Sequence, residues 1–342
     1  MEFNKNIKAG IIGGSGFAGE ELVRILSRHD SVDLVAVSSR ELQGLSIADT
    51  YKDISFLEKL SFILPEDNVF LTCDVLFLAT PHGVGMSEVI RFLDNGVKVI
   101  DLSADFRIQD VSVWEEWYKI KHESPELIKD AIYGLTELNK KKIISSNLVS
   151  VPGCYPTASI LGLLPLLIKS IEIESIIIDA KSGISGAGRN TVTSGMKEDM
   201  EDNFKAYALD GHRHSPEISQ IIEEVYGSPI KLNFLPHLIP TMRGIYATIY
   251  IQTNGLPKED LNSMYSEYYK DSENVMILSK NEIPSLRAVK KTNKCQILSV
   301  KTNIPNQIVV LSCIDNLFKG AAGQAIECFN LMFGFDQASG LD

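Results

Sequence analysis

The chain has little that would mark it as secreted, membrane-bound or zinc-stapled. Its five cysteines, at positions 73, 154, 295, 313 and 328, are odd in number and hold no CxxC pair. Neither a disulfide framework nor a zinc knuckle follows from that pattern, and no metal is expected. Met1 to Lys8 has no apolar core of the kind a secretory signal carries. The longest apolar run, Ile160 to Ile168, is broken by Pro165 and falls far short of the ~20 residues that span a bilayer. The cytoplasm is therefore the expected compartment. Basic excess is missing too: the net charge of −11 is spread along the chain. That balance argues against nucleic acid and anionic membranes as partners, since both reward a basic face. No internal repeat or low-complexity segment stands out, and the stretch from Tyr51 to Val69 offers no reading.

What is present is an ordinary globular composition, 44% hydrophobic and 23% charged over 342 residues, enough for two domains. Ile7–Ile12, Val32–Val37, Val75–Ala79 and Val97–Ile100 read as strands, with helices after the first and between the last two (Met86 to Leu93). Strands alternating with helices predict an α/β, Rossmann-type doubly wound parallel sheet. Near Val149 the rhythm changes. Ile176–Asp179, Tyr246–Gln252 and Ile308–Ser312 alternate with polar segments and have few crossover helices, which suits a mixed, largely antiparallel sheet in an α+β domain. Gly320 to Phe333 reads as a helix of small residues suited to packing back on the first domain. The expected division is 1–150 plus 316–342 for the first domain and 151–315 for the second.

Between the first strand and first helix lies Gly13-Gly14-Ser15-Gly16-Phe17-Ala18-Gly19. Glycines at this spacing let the backbone turn tightly and approach a pyrophosphate, which unpaired N–H groups at the helix start can hold. About twenty residues on, a NAD site carries an acidic residue for the ribose 2′-hydroxyl; here Ser38-Ser39-Arg40 ends the second strand. A hydroxyl from Ser39 and a guanidinium from Arg40 suit a 2′-phosphate, so NADP(H) is expected, unless Arg40 is only a surface residue.

Val151-Pro152-Gly153-Cys154-Tyr155-Pro156-Thr157 places a thiol beside Pro156, which reads as the first residue of a helix through Leu167. Cys154 would then sit just outside the helix N-terminus, where the dipole favours a thiolate. The other cysteines in apolar surroundings, Cys73, Cys313 and Cys328, read as inert packing. A nucleophilic thiol alongside a dinucleotide turn points to one chemistry: thioester formation from an acyl phosphate, then reduction to an aldehyde. In Gly211-His212-Arg213-His214-Ser215-Pro216-Glu217, Ser215 reads as an N-cap and Pro216 as the first helical residue. His214 would then be kept neutral and ready to take a proton. The two histidines also have the spacing of a metal pair, but no third ligand is evident. Ser182, Ser185 and Arg189, in a glycine-rich stretch, suit an anion; so does Arg243 in Pro236–Gly244, able to fork onto a carboxylate. A flexible loop and a salt-bridged turn are the plain alternatives for these two.

With those residues in view, the whole chain resembles the N-acetyl-gamma-glutamyl-phosphate reductases of arginine biosynthesis and, more distantly, the aspartate-semialdehyde dehydrogenases. The most specific piece is Val149 to Pro165; Gly13–Gly19, Ser182–Arg189, Gly211–Ile218, His237–Gly244 and Asp315–Gln324 follow in the family's order. The resemblance implies NADPH-dependent reduction of N-acetyl-glutamyl 5-phosphate to the semialdehyde. It implies Cys154 as nucleophile and His214 as acid–base residue, with His212 and Tyr207 near the substrate. Glu217 would orient an active-site group and Asn316 would lie by the nicotinamide. It also implies oligomer contacts, in a homodimer or homotetramer. A sibling acting on aspartyl or carrier-bound aminoadipyl or glutamyl phosphate is the nearest rival, and a non-catalytic NADP-binding sensor a more distant one. A short-chain dehydrogenase would need Lys four residues after a Tyr, which none of the eleven tyrosines has.

Overall fold

A computed structural model describes residues 6–57, 59–169, 171–189, 192 and 202–341. The chain divides into two units, Met1–Pro152 with Ala321–Asp342, and Gly153–Gly320. The return to the first unit thus comes at Ala321 rather than at residue 316.

In the first unit the strands are β1 (Ile7–Ile12), β2 (Val32–Ser38), β3 (Phe62–Ile63), β4 (Val75–Leu78), β5 (Lys98–Asp101), β6 (Ile132–Tyr133) and β7 (Leu148–Ser150). They run in the order β3-β2-β1-β4-β5-β7-β6, every pairing parallel. Strands such as β4, Val-Leu-Phe-Leu, are buried throughout, as expected where helices cover both faces of a parallel sheet. The chain builds outward from β1 through β2 to β3, then returns to place β4 on the other side of β1. That reversal is a topological switch point, whose carboxyl edge is where open α/β sheets bind ligands. The helix between β4 and β5 is Val89–Asp94, three residues later than the apolar spacing suggests. The closing helix is Gly323–Phe333, preceded by a π turn over Phe318–Ala322. It packs on the helix Thr136–Ile144 and on β5, and Gln324 Nε2 donates to the Gly134 carbonyl at 2.9 Å.

The second unit holds β8 (Ile173–Ser182), β9 (Lys205–Ala206), β10 (Lys231–Leu238), β11 (Ile245–Thr253), β12 (Val275–Ile277), β13 (Cys295–Lys301) and β14 (Gln307–Ile314). Their order is β12-β13-β14-β11-β8-β10-β9. The sheet is mixed: β10–β8 and β12–β13 are parallel and the other neighbours antiparallel. The helix Cys154–Ile168, almost wholly buried, lies on β11 and β14. A side chain at Gly162 would meet Ile249 at 2.8 Å, so glycine is what allows helix and sheet to approach. Pro165 stands inside this helix. It lacks the N–H that would bond the carbonyl four residues back, that of Leu161. The Tyr269 hydroxyl donates to that carbonyl instead, and Tyr265 donates to the neighbouring Gly162 carbonyl at 2.6 Å. No described helix is long and apolar enough to cross a membrane.

Candidate active site

In the first unit the glycine turn follows β1. Gly13 has φ +91°, and a side chain there would meet the Ala79 carbonyl oxygen at 2.5 Å; at Gly14 it would meet Val37 at 2.2 Å, and at Gly19 the Gly13 carbonyl oxygen at 2.2 Å. No residue but glycine fits these three positions. The helix Phe17–Leu26 starts at an N-cap of Gly16 with no side chain capping it, and a helix start of this kind suits an anion. Gly13 N donates to Ser38 Oγ at 3.1 Å, Ser39 Oγ to Ser15 Oγ at 2.9 Å, and the buried Tyr51 hydroxyl to the Gly14 carbonyl at 2.9 Å. The turn is thus braced by the end of β2 and by Tyr51, a residue from the stretch that had no reading. Arg40, next along, is exposed and paired with Glu66. The partner it holds in the fold is a carboxylate.

In the second unit the helix begins at Cys154 itself, with Gly153 as N-cap. Pro156 is its third residue, not its first, so the thiol stands inside the first turn rather than just before it. The extended backbone at Gly153 is what moves the start. Cys154 is partly exposed, whereas the other four cysteines are buried. A side chain at Gly320 would meet Cys154 Cβ at 2.8 Å, so the backbone of the Lys319-Gly320 stretch packs directly on the cysteine.

The second histidine helix likewise starts early, spanning His214–Tyr226 with Arg213 as N-cap; Ser215 and Pro216 are its second and third residues and no side chain caps it. It packs against the cysteine helix. The buried Glu217, in its first turn, accepts the Gly153 N–H at 2.8 Å. A carboxylate from one helix thereby fixes the peptide that leads into the thiol of the other.

Around Tyr155, aromatic rings cluster. Its centroid lies 5.6 Å from His212, 5.9 Å from His214 and 5.2 Å from Phe234, and the two imidazoles are 4.8 Å apart. The Tyr155 and Tyr207 hydroxyls are 3.0 Å from one another. Burial pushes Tyr207 up to about 12, with the nearby Cys154 adding to the shift. Tyr155 is raised by burial and, to a lesser degree, by Tyr207 and Cys154. Both phenols therefore stay protonated at neutral pH and can donate.

His212 is pushed down to about 4, first by burial and then by the neighbouring Arg213. The His214 N–H donates to His212 Nδ1 at 3.1 Å, so the His212 proton sits on Nε2. Being neutral in the fold but free to charge when unfolded, His212 takes up a proton on unfolding between about pH 4 and its ordinary 6.5. The native state is then expected to lose stability as pH falls through that window. Urea midpoints measured across it should decline in the native protein and decline less in His212→Gln; equal slopes in the two proteins contradict this.

The two expected anion clamps turn out to bind each other. Gly183, Ile184 and Ser185 donate their N–H groups to the carbonyls of Gly244, Thr241 and Met242 at 2.9, 3.0 and 3.0 Å. Arg243 forks onto the buried Asp315, Nε to Oδ2 at 2.9 Å and a terminal nitrogen to Oδ1 at 3.0 Å. Its carboxylate partner is internal, which corrects the substrate-clamp expectation. Asn316 accepts the Gly244 N–H at 2.7 Å and donates to Ser185 Oγ at 2.9 Å, so its amide ties the same two loops. Ser182 Oγ is buried and donates to the Gly183 carbonyl. What stays at the surface of this stretch is the exposed Gly186–Gly188 and the partly exposed Arg189. Sequence reasoning missed Tyr155, whose place beside the cysteine in the chain was the available signal, and Phe234, whose alternation along β10 shows only an inward face.

A family model described as the semialdehyde dehydrogenase NAD binding domain matches residues 8–146, and one described as the semialdehyde dehydrogenase dimerisation domain matches residues 154–316. The N-acetyl-gamma-glutamyl-phosphate reductase of Thiobacillus denitrificans is 46% identical over 336 residues, covering 98% of each chain. That of Bordetella pertussis is 42% identical over 343 residues, covering 99% of this chain and 97% of its own. Among solved structures, aspartate semialdehyde dehydrogenase II from Vibrio cholerae superposes with a TM-score of 0.76 at 16% identity, over 96% of this chain and 99% of that one. The Candida albicans aspartate semialdehyde dehydrogenase with NADP reaches 0.67 at 18% identity, over 96% of this chain and 99% of that one. At such identities these two speak to the fold alone.

Proposed function

We propose a function from one premise: this chain belongs to the N-acetyl-gamma-glutamyl-phosphate reductases, within the semialdehyde dehydrogenase family. On that reading it is an oxidoreductase that converts N-acetyl-L-glutamyl 5-phosphate to N-acetyl-L-glutamate 5-semialdehyde and phosphate. The observation that carries it is the one partly exposed cysteine of the five, at the start of a helix and attended by protonated phenols and two imidazoles.

The glycine turn fits a dinucleotide: three positions reject any side chain, and the helix beyond has no side-chain cap. Gly13 to Gly19 would hold the pyrophosphate and Ser39 with Arg40 the 2′-phosphate, which makes NADPH the preferred donor. Bound there, NADPH supplies a hydride. Cys154 does the covalent work. Its thiolate attacks the acyl carbon, the carbon–sulfur bond forms, and the carbon–oxygen bond to phosphate breaks. The first-turn N–H groups favour the negative sulfur, and Glu217 keeps Gly153 in register so that the sulfur meets the carbonyl. His214 takes the proton of the Cys154 thiol, gives it to the thiohemiacetal oxygen when the thioester is reduced, and takes it back as the carbon–sulfur bond breaks, so that the aldehyde leaves with the thiolate restored. Tyr207 and His212 Nε2–H are placed to donate to the developing oxyanion. Arg189, partly exposed at the end of the glycine-rich stretch, would meet the substrate's anionic end. The protein is read as a cytoplasmic homodimer or homotetramer.

Oxidation of NADPH at 340 nm on addition of the acyl phosphate, or the reverse reaction with semialdehyde, NADP and phosphate, tests the reading; no turnover in either direction overturns it. For the cofactor, Arg40→Asp is expected to weaken NADP binding on the order of tenfold or more while leaving NAD affinity within about threefold. Calorimetric titration with each nucleotide distinguishes this from equal losses, which would take Arg40 out of 2′-phosphate recognition.

A further inference from the structure

Asp315 follows directly on β14 and is 0% exposed. A carboxylate is buried at great cost unless it is paired and hydrogen-bonded, and its partners here converge from three stretches of the second unit. Arg243, just before β11, forks onto it through Nε and a terminal nitrogen. The Lys291 N–H donates to Oδ2 at 2.7 Å. The Leu317 and Phe318 N–H groups donate to Oδ1 at 2.8 and 3.1 Å. Lys291 holds φ +59°, an angle uncommon for residues other than glycine, so a strained turn presents its amide to this carboxylate.

The bonds to Leu317 and Phe318 make Asp315 the cap of the turn that follows it. Its own carbonyl accepts the Gly320 N–H at 3.0 Å. Both ends of Asp315–Gly320 are thereby tied to one residue. Arg243 grips the same turn a second time, since its guanidinium lies over the Phe318 ring, 5.4 Å from the centroid. The turn ends against the cysteine. A side chain at Gly320 would meet Cys154 Cβ at 2.8 Å and Cα at 3.3 Å. Gly320 has no positive φ of the kind that calls for glycine; its nearest obstacle is Cys154 itself.

We propose that Asp315 is a positioning residue for the nucleophile: through the Asp315–Gly320 turn it sets where Cys154 stands, and Arg243 holds the carboxylate in place for this. The inference rests on Cys154 being the nucleophile of the proposed function. Its reason is distance. Reacting atoms must come within about 3–3.5 Å, and a displacement of about 1 Å can cost about a hundredfold in rate. The binding of either substrate is a separate matter, so the loss belongs to kcat.

Two measurements on the full chain test this: kcat and KM with the acyl phosphate and NADPH, and the rate at which iodoacetamide alkylates Cys154, located by mass. Asp315→Asn keeps one acceptor oxygen but turns an NH2 group toward Arg243 or the amides. It is expected to lower kcat about ten- to hundredfold with both KM values within about threefold. Alkylation should slow about tenfold as the sulfur shifts from the first-turn amides that favour a thiolate. Gly320→Ala leaves the bonds of Asp315 whole and presses on Cys154 directly; a loss of about tenfold or more in kcat is expected, with the same split. If Asp315→Asn does not fold, Arg243→Lys decides in its place, because it keeps the charge and loses the fork, for an expected loss of about three- to tenfold in kcat. Native-like kcat and alkylation in the folded Asp315 variant or its stand-in, or in Gly320→Ala, overturn the inference, as do losses that fall on KM. Absence of turnover in the native protein overturns the proposed function instead, and the alkylation rates then decide the inference by themselves.

Discussion

Cys154→Ala is expected to remove turnover, by about four orders of magnitude or more, while NADPH binds as before. On the proposed mechanism the sulfur makes and breaks the only covalent bond between protein and substrate, and the neighbouring phenols cannot replace it: held protonated at neutral pH, as Tyr155 and Tyr207 are, they are poor nucleophiles. Nucleophile losses in covalent catalysis are of the order of 10⁴–10⁶. Cofactor affinity is predicted to be spared because the turn proposed to hold the dinucleotide belongs to the other unit. Single-turnover mixing of native enzyme with acyl phosphate, without NADPH, should release one phosphate per active thiol and leave a thioester detectable by mass at Cys154. Undiminished steady-state rates in the alanine variant, or phosphate release from it in that burst, would remove the covalent route.

His214→Asn comes next in size, with an expected loss of about 10²–10⁴ in kcat/KM. The surroundings of the two imidazoles differ. His212 is pushed down to about 4 by burial and Arg213; a base so weak has little tendency to take a proton at neutral pH, although it donates well from Nε2. His214, at the first helical position and 4.8 Å from it centroid to centroid, is the residue proposed for proton transfer. The variant should lose the ionisation that governs the acid limb of the native kcat/KM profile, whereas His212→Asn should keep that limb at a reduced rate. The opposite pattern would exchange the two roles.

How far these arrangements can be read from the chain depends on the range of the interactions that set them. The glycine turn and the cysteine segment are local features, and they sit where their residues suggest. The helix starts at Cys154 and His214 come one or two residues early, because the cap is decided by backbone angles at Gly153 and Arg213 rather than by the best capping side chain nearby. The inward contacts of Arg243 and of the 183–185 amides are hidden for a different reason. An arginine or a run of free amides looks identical in sequence whether its partner is a ligand or a loop sixty residues away, and here Arg243 meets Asp315 and the 183–185 amides meet the carbonyls of 241–244. Tyr51 was out of reach altogether. It makes its defining contact with a backbone carbonyl of a distant loop, and such contacts leave no pattern in the residues themselves.

The proline within the cysteine's helix has one more implication. With Pro165 unable to close its turn, Tyr265 and Tyr269 lock that helix to the segment Leu261–Tyr269, so part of the stiffness behind the nucleophile is lent by side chains about a hundred positions downstream. A survey of random mutants should therefore find lesions there that leave nucleotide uptake whole yet blunt alkylation of the thiol, a phenotype easily mistaken for damage at the reacting centre.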